Sequence, residues 1–196
     1  LWHLHSQPPG YSLWGLIWLR LFPGHFPEVL QLVHIVLGAL VTAMACALAR
    51  ALTGSRGAGL AAGLLVAFNP ALLYFEAHVL YETMLAALVT ASAWMLWRAL
   101  AGGGRRWLIG MIIVLNILVM VRSFYHLVFL VGALGAAWPV WRAMRPRAAV
   151  LLLAAAVALP TAWYAKNLAQ YGFFGSSSWM GIGWCSIVVK GVSDLL

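Results

Sequence analysis

The chain has 196 residues, of which 64% are hydrophobic and only 8% are charged, and its mean hydropathy is +0.94. A water-soluble monomer of this composition lacks the polar side chains to cover its surface, which excludes that class of protein. The formal net charge is +8. In a membrane protein such an excess reflects the placement of the loops, so we expect no nucleic-acid partner. We predict an all-α polytopic membrane helix bundle.

The N-terminal segment leads into Gln7-Pro8-Pro9, where the first proline favours an extended conformation at the residue before it. Residues 11–22 then have a helical pattern, but they are too few to cross a bilayer, and they carry two tryptophans one turn apart. We predict an amphipathic helix in the membrane interface, within an external segment of residues 1–28.

Six apolar runs follow, and a bilayer core needs about 20 helical residues to cross. The second run contains Gly59 and Gly63, a spacing that lets a neighbouring helix approach closely. It ends in Asn69-Pro70, where we expect a bend or an end because proline removes a helix hydrogen bond. The predicted spans are residues 29–49, 57–75, 79–97, 107–121, 123–141 and 148–164. They form a six-helix bundle over residues 29–165, followed by an external loop over residues 166–196 that is incomplete.

Positive charge is divided unevenly between the two ends of these spans. Alternate connections hold eight arginines and no acidic residue, whereas the opposite connections hold four basic and four acidic residues. Lys and Arg are retained on the cytoplasmic side. We therefore expect a multi-pass protein of a bacterial inner membrane with residues 1–28 and 166–196 on the non-cytoplasmic side. The eight arginines are Arg50, Arg56, Arg98, Arg105, Arg106, Arg142, Arg145 and Arg147.

Two of the four acidic residues, Glu76 and Glu82, lie between the second and third predicted spans. A carboxylate near a bilayer is costly, so each must reach water or a polar cavity. Four residues here recur at helical spacings and would share one face if the stretch is helical. They are Tyr74, His78, Tyr81 and Glu82. Such a face can bind a polar ligand and accept a proton, and the alternative is a solvated helix start at which the dipole merely favours Glu82.

Arg122 occupies the corner between the fourth and fifth predicted spans, with His126 one turn further on. The planar guanidinium of an arginine pairs well with a phosphate group. The alternative is an interfacial anchor whose charge reaches lipid headgroups. The sequence leaves both alternatives open, and we expect membrane lipid among the partners of the chain.

Metal and thiol chemistry have little support in the sequence. His3 and His5 are suitably close for two metal ligands, but no third ligand has a defined spacing. Cys46 and Cys185 are far apart and predict no disulfide. We expect no cofactor, with a divalent cation as the alternative.

Three motifs follow one another along the chain: Gln7-Pro8-Pro9-Gly10-Tyr11, then Asn69-Pro70 with Glu82 at the start of the next span, and finally Lys166-Asn167 after Pro160. In this order they resemble the motifs of polytopic glycosyltransferases of the GT-C fold. The similar families are the protein mannosyltransferases and the aminoarabinose transferases. The resemblance covers most of the chain.

The resemblance implies a transferase that moves a sugar from a polyprenyl-phosphate carrier to a lipid, glycan or protein acceptor on the non-cytoplasmic face. Within it, Glu82 and Glu76 would be supporting carboxylates. The implied phosphate- and substrate-binding residues are Arg122, Lys166, Asn167, His78, Tyr81 and Gln7. Relatives often have Lys or His at the position of Gln7, and their catalytic acid lies in an external loop upstream of the Pro-Pro motif. We therefore expect the general base upstream of Leu1 and the chain alone to be inactive.

Two other functions remain as alternatives. A secondary transporter would place ionisable residues near the midplane on broken helices, whereas the predicted span interiors hold only Asn116, His34 and a few hydroxyls. A non-catalytic membrane partner that binds polyprenyl lipid would use the same cations as the enzyme. The enzyme hypothesis expects Glu82, Arg122 and Lys166 to converge on one outer cavity.

Overall fold

The computed structural model describes residues 8–78, 80–125 and 127–177, and this part of the chain folds into α-helices without strands. The helices are α1 Gly10–Leu21, α2 Phe26–Thr53, α3 Arg56–Ala67, α4 Pro70–Ala77, α5 Glu82–Arg98, α6 Arg105–Val121, α7 Leu127–Ala136, α8 Trp138–Arg142 and α9 Pro146–Tyr171. The segment Ala99–Gly103 follows α5 and leaves the helical conformation at Ala101 and Gly102, where Gly102 has φ of 93°. The predicted all-α membrane bundle is confirmed. Four residues named above lie outside the described part of the chain: His3, His5, Gln7 and His126.

Three helices of the described chain are long and apolar enough to cross a bilayer: α2, α5 counted through Gly103, and α9. Helices α3 and α4 would make a fourth span if they cross together, bent by 49°. Helix α6 has 17 residues and α7 has ten, so both are shorter than the roughly 20 residues that cross a bilayer core. The predicted number of six spans therefore stays a prediction.

The bend between α3 and α4 lies at Asn69-Pro70, as the sequence predicts. Pro70 is the first residue of α4, where its missing N–H has no cost because the first N–H groups of a helix have no partner within it. The side-chain oxygen of Asn69 accepts hydrogen bonds from the backbone N–H groups of Ala71 at 2.9 Å and Leu72 at 3.2 Å. These two residues therefore start a new helix where the old one stops.

The predicted fifth span, residues 123–141, is wrong as a single helix, because α7 ends at Ala136 and α8 begins at Trp138. Pro139 explains the break, since it has no N–H to donate and its ring clashes with the carbonyl group four residues earlier. Pro160, in contrast, lies inside α9.

Helix α9 continues beyond the expected end of the sixth span at residue 164. It runs to Tyr171 and is followed by Gly172 in the left-handed conformation, with φ of 76°. The glycine ends the helix because a residue without Cβ adopts this conformation at no steric cost. Lys166 and Asn167 are therefore helical, and the chain leaves the helix at Gly172, six residues after the predicted start of the external loop at residue 166.

Helix α6 lies at the centre of the bundle and packs against α1, α5, α7 and α9. Leu108, Leu115 and Val119 are completely buried on it. Asn116 is the polar exception, and its side-chain N–H₂ group donates to the carbonyl oxygens of Ile112 and Ala156, both at 2.9 Å. The second of these bonds ties α6 to α9, which is how a polar side chain is accommodated in an apolar interior.

Helices α2 and α3 approach each other closely at two glycines. A Cβ atom at Gly59 would lie 2.9 Å from the carbonyl oxygen of Cys46, and one at Gly63 would lie 3.2 Å from the Cys46 Cβ. Both distances are shorter than an ordinary van der Waals contact. The small-residue spacing predicted to admit a neighbouring helix is therefore used for that purpose.

We expect Gly59→Ala to destabilise the bundle by about 1–3 kcal/mol, because its methyl group would push α3 away from the α2 backbone. Gly57→Ala, on the same helix, is the matched control. The nearest atom to a Cβ at that position is the Ser55 hydroxyl at 3.7 Å, so the alanine should add about 0.5–1 kcal/mol through its helix propensity. Thermal unfolding in detergent should show shifts of opposite sign. Equal shifts for the two variants would contradict the close approach.

Candidate functional site

The stretch between α4 and α5 is not one helix. Helix α4 ends at Ala77, His78 is extended with φ of −115° and ψ of 149°, and α5 begins at Glu82. The expectation that Tyr74, His78, Tyr81 and Glu82 share one helical face is therefore wrong.

The side chain of His78 accounts for this break. Its Nδ1 lies 2.7 Å from the carbonyl oxygen of Tyr74, so the ring nitrogen donates the hydrogen bond that the backbone N–H of residue 78 would make in a continuing helix. The two rings also stack with centroids 4.2 Å apart, at an exposed position. Tyr74 and His78 thus form a pair at the end of α4, apart from the residues at the start of α5.

Tyr81 lies where α1, α5 and the end of α6 meet. Its ring packs edge to face against Tyr11 at 5.9 Å between centroids. On the same ring lies the guanidinium carbon of Arg122, 4.5 Å from the centroid, in a cation–π contact. The structure therefore brings Arg122 next to the residue that precedes Glu82.

Glu82 starts α5, where the helix dipole favours its negative charge. Its Oε2 atom is buried and has no hydrogen-bond partner. Burial, together with the charge of Glu82, raises the pKa of Tyr11 to about 12. Tyr11 is consequently a neutral hydroxyl at physiological pH, next to a carboxylate. The sequence prediction missed Tyr11 as a site residue although it closes the Pro-Pro motif.

His34 is the second residue that the sequence prediction missed. It is completely buried on α2, and its Nδ1 lies 3.2 Å from the carbonyl oxygen of His78. A carbonyl group only accepts, so Nδ1 carries the proton in this contact and Nε2 is left as an acceptor. The His34 ring lies 6.4 Å from the Tyr11 ring. A polar residue on the buried stripe of α2 is the signal that would have found it.

Glu76 faces α2 at Gly38. A Cβ atom at Gly38 would overlap the Oε1 atom of Glu76, so the missing side chain of the glycine makes room for the carboxylate. Neither Glu76 nor Glu82 forms an ion pair or a hydrogen bond with another described residue. Both acidic side chains thus lie against the α2 side of the bundle with free acceptor atoms.

Lys166 and Asn167 belong to the end of α9 and the segment after it. The Lys166 Nζ lies 3.6 Å from the centroid of the Trp163 ring. The buried side-chain N–H₂ of Asn167 donates to the Gly175 carbonyl oxygen at 2.7 Å, so this residue holds the segment after α9 in place.

The same segment reaches the corner that contains Arg122. Trp163 donates from its indole N–H to the Ser176 carbonyl oxygen at 3.0 Å, and the Ser176 hydroxyl donates to the Ser123 carbonyl oxygen at 3.2 Å. Lys166 is therefore linked to the corner of Arg122 through Trp163, Ser176 and Ser123.

Two cavities adjoin this region. The larger is an apolar groove of about 620 Å³ between α1, α5, α6 and α9, which runs along α6 from Ile109 to Met120. The smaller, of about 310 Å³, lies between α2 and the α3–α5 segment, with Glu82 and Asn69 in its wall. Arg122 and Lys166 line neither of these two cavities. The three expected site residues are connected by contacts around Tyr81 and Ser176 rather than by either cavity.

A metal centre finds no ligand set in the described residues, because no group of three or more His, Cys, Asp or Glu side chains there could hold an ion. His3 and His5 lie outside those residues. The expected absence of a cofactor stays a prediction.

We expect Gly38→Ala to destabilise the protein in the native background, because the new methyl group displaces the Glu76 carboxylate. The same change should be neutral or slightly stabilising in a Glu76→Ala background, which gives a coupling of about 0.5–3 kcal/mol in a double-mutant cycle followed by thermal unfolding. A Glu28→Ala background is the control, since this exposed residue lies in the first turn of α2. Equal coupling to both glutamates would contradict the packing of Glu76 on Gly38.

Comparison with known proteins gives one match. The sequence model of the dolichyl-phosphate-mannose-protein mannosyltransferase family matches residues 7–176. No curated protein and no solved structure matches the chain significantly. The matched range contains all nine described helices and each of the predicted site residues. The chain therefore belongs to the dolichyl-phosphate-mannose-protein mannosyltransferase family, which makes it a membrane glycosyltransferase.

Proposed function

We propose that this glycosyltransferase takes its sugar from a polyprenyl-phosphate donor and transfers it to a lipid, glycan or protein acceptor on the non-cytoplasmic face of the membrane. The observation that carries the proposal is the apolar groove along α6, whose last lining residue on that helix, Met120, comes two residues before Arg122 in the chain. A polyprenyl phosphate has the matching chemistry, since a long apolar chain is attached to one anionic group.

The groove supports a site for the chain of the donor. Its part on α6 covers 11 residue steps, which correspond to about 17 Å of helix. Ile113 and Ile117 are 55% and 40% exposed in its wall, so apolar surface is available to a ligand. Asn116 is the only polar side chain in the described lining apart from the Trp14 indole. Such a lining suits an isoprenoid chain.

Arg122 supports a site for the phosphate. It follows α6 directly and lies two residues beyond Met120 at the end of the groove. No carboxylate among the described residues pairs with its guanidinium, which leaves the donor groups of the planar fork available for phosphate oxygens. Lys166, near the end of α9, is a second cation, and we include it in the proposed phosphate site.

The proposed reaction forms a bond between an acceptor hydroxyl oxygen and the anomeric carbon of the sugar. The bond from that carbon to the phosphate oxygen breaks, and the electron pair leaves with polyprenyl phosphate. Arg122 would stabilise the negative charge that develops on this oxygen. The acceptor proton passes to a general base, while Glu82 and Glu76 act as supporting carboxylates that orient hydroxyl groups.

The distribution of charge supports a non-cytoplasmic site in a cell membrane. The α2–α3, α5–α6 and α8–α9 connections carry the eight arginines, and Glu82 and Arg122 lie at the opposite ends of α5 and α6. Under the rule that positive loops stay inside, this end faces away from the cytoplasm. We propose a bacterial inner membrane as the location.

We expect Arg122→Gln to weaken binding of polyprenyl phosphate by about tenfold to a hundredfold. A hydrogen bond to a charged group contributes about 1.5–3 kcal/mol, and each 1.4 kcal/mol is a factor of ten. Binding is measured with the chain in lipid nanodiscs by titration with polyprenyl phosphate. Arg50→Gln is the matched control, because Arg50 lies in the last turn of α2 on the proposed cytoplasmic side. This variant should bind polyprenyl phosphate as the native chain does. Equal losses in both variants would show that the arginines act only through the membrane surface.

The groove is tested by filling it. Ala155 lines the groove and Ala154 does not, although both are exposed on α9. Ala155→Trp should weaken binding of a long-chain polyprenyl phosphate by about tenfold or more, because each buried CH₂ contributes about 0.8 kcal/mol. Binding of a phosphate lipid whose chain has only one isoprene unit should change little. Unchanged long-chain affinity in Ala155→Trp, or an equal loss in Ala154→Trp, would place the lipid chain elsewhere.

A further inference from the structure

Four buried polar atoms lack hydrogen-bond partners on three helices, of which α2 packs against both α1 and α5. They are the Tyr11 hydroxyl of α1, Nε2 of His34 on α2, and Oε2 of Glu82 and the hydroxyl of Thr83 on α5. His34 and Thr83 are both completely buried. A buried polar atom without a partner costs about 1–3 kcal/mol. Such groups are therefore normally satisfied by the protein, by water or by a ligand.

Contacts between the rings hold these groups together. Tyr11 lies 6.4 Å from the His34 ring and 5.9 Å from the Tyr81 ring. Glu82 and Thr83 follow Tyr81 directly in the chain. Since the Nδ1 edge of His34 is bonded to the His78 carbonyl group, the opposite edge with Nε2 is the one available to a ligand.

The donor and acceptor properties of the cluster define what it can bind. Nε2 of His34 and the Glu82 carboxylate accept hydrogen bonds, whereas Tyr11 and Thr83 can donate or accept. The partner must therefore donate to these two acceptors, and it can also accept from Tyr11 or Thr83, which are properties that adjacent hydroxyl groups have. One histidine and one carboxylate are too few to hold a metal ion within the described residues.

The position of Arg122 indicates which part of a ligand carries the hydroxyl groups that would bind this cluster. Its guanidinium lies on the ring of Tyr81, the residue before Glu82. If Arg122 holds the phosphate of the donor, the sugar is attached directly to the group it holds. The cluster then lies next to the donor sugar.

We propose that Tyr11, His34, Glu82 and Thr83 form a subsite for hydroxyl groups of the donor sugar, with His34 Nε2 and Glu82 Oε2 as acceptors. The inference rests on the proposed polyprenyl-phosphate donor. It assigns His34 and Tyr11 as specificity-determining residues that recognise the sugar and leave the lipid chain and phosphate to other groups.

The test compares two probes, polyprenyl phosphate mannose and bare polyprenyl phosphate, titrated into the chain in lipid nanodiscs. The native chain should bind the mannosyl lipid more tightly. His34→Asn places an amide N–H₂ near the position of Nδ1 and removes the Nε2 acceptor, and Tyr11→Phe removes only a hydroxyl group. Each should lower the affinity for the mannosyl lipid about tenfold, the effect of one lost buried hydrogen bond, and leave the bare lipid unchanged. His34→Gln, whose side chain reaches the position of Nε2 with an amide oxygen, should restore part of the preference.

The outcomes separate this inference from the proposed function. A native chain that binds neither lipid overturns both. A native chain that binds the two lipids equally overturns the sugar subsite and leaves the phosphate site standing. Variants that weaken both lipids to the same extent, or neither, assign His34 and Tyr11 a structural role and show that the cluster holds water only.

Discussion

A break between two helices leaves backbone groups that have lost their helical hydrogen bonds, and other parts of the protein or water must supply their partners. The break between α4 and α5 meets this constraint through α2. The His78 carbonyl oxygen, which no longer belongs to a helix, accepts a hydrogen bond from the His34 side chain. His34 lies on the one buried stripe of α2 with Leu30, Gly38 and Val41. The stripe therefore fixes where the irregular segment lies and, with it, where α5 begins.

The same stripe places the two carboxylates. Gly38, one turn after His34, leaves space for Glu76, and Val41 lines the small cavity that Glu82 also lines. Helix ends then match the charges that they carry. Glu82 opens α5 at the positive end of its dipole, and Arg122 follows α6 at the negative end of its dipole. Opposite charges can therefore lie near each other without forming an ion pair, which leaves both available to a ligand.

Local chemistry in the sequence predicts much of this fold. Asn69-Pro70 encodes both a stop and a cap, so the bend follows from two adjacent residues. Gly59 and Gly63 encode a close approach by their spacing alone. The end of α9 was not predictable in this way. Pro160 and Lys166 indicate that the helix ends near residue 164, whereas the packed helix continues to Tyr171. His78 does not share a helical face with Glu82 because α4 ends before it. Its ring, in place of its backbone N–H, donates to the Tyr74 carbonyl oxygen.

The candidate site was only half predictable, because its polar groups meet through tertiary packing. Glu82 and Arg122 are visible as charges in an apolar sequence, whereas Tyr11 and His34 resemble ordinary interfacial and core residues. Their importance comes from position: Tyr11 on α1 contacts both His34 on α2 and Tyr81 on α5. The apolar groove lies on the α6 side of this contact, with Gly10 of α1 in its wall, and the carboxylates lie on the α2 side. Helix α1 thus contributes Gly10 to an apolar surface and Tyr11 to a polar cluster, and Arg122 lies on Tyr81, the ring that Tyr11 contacts.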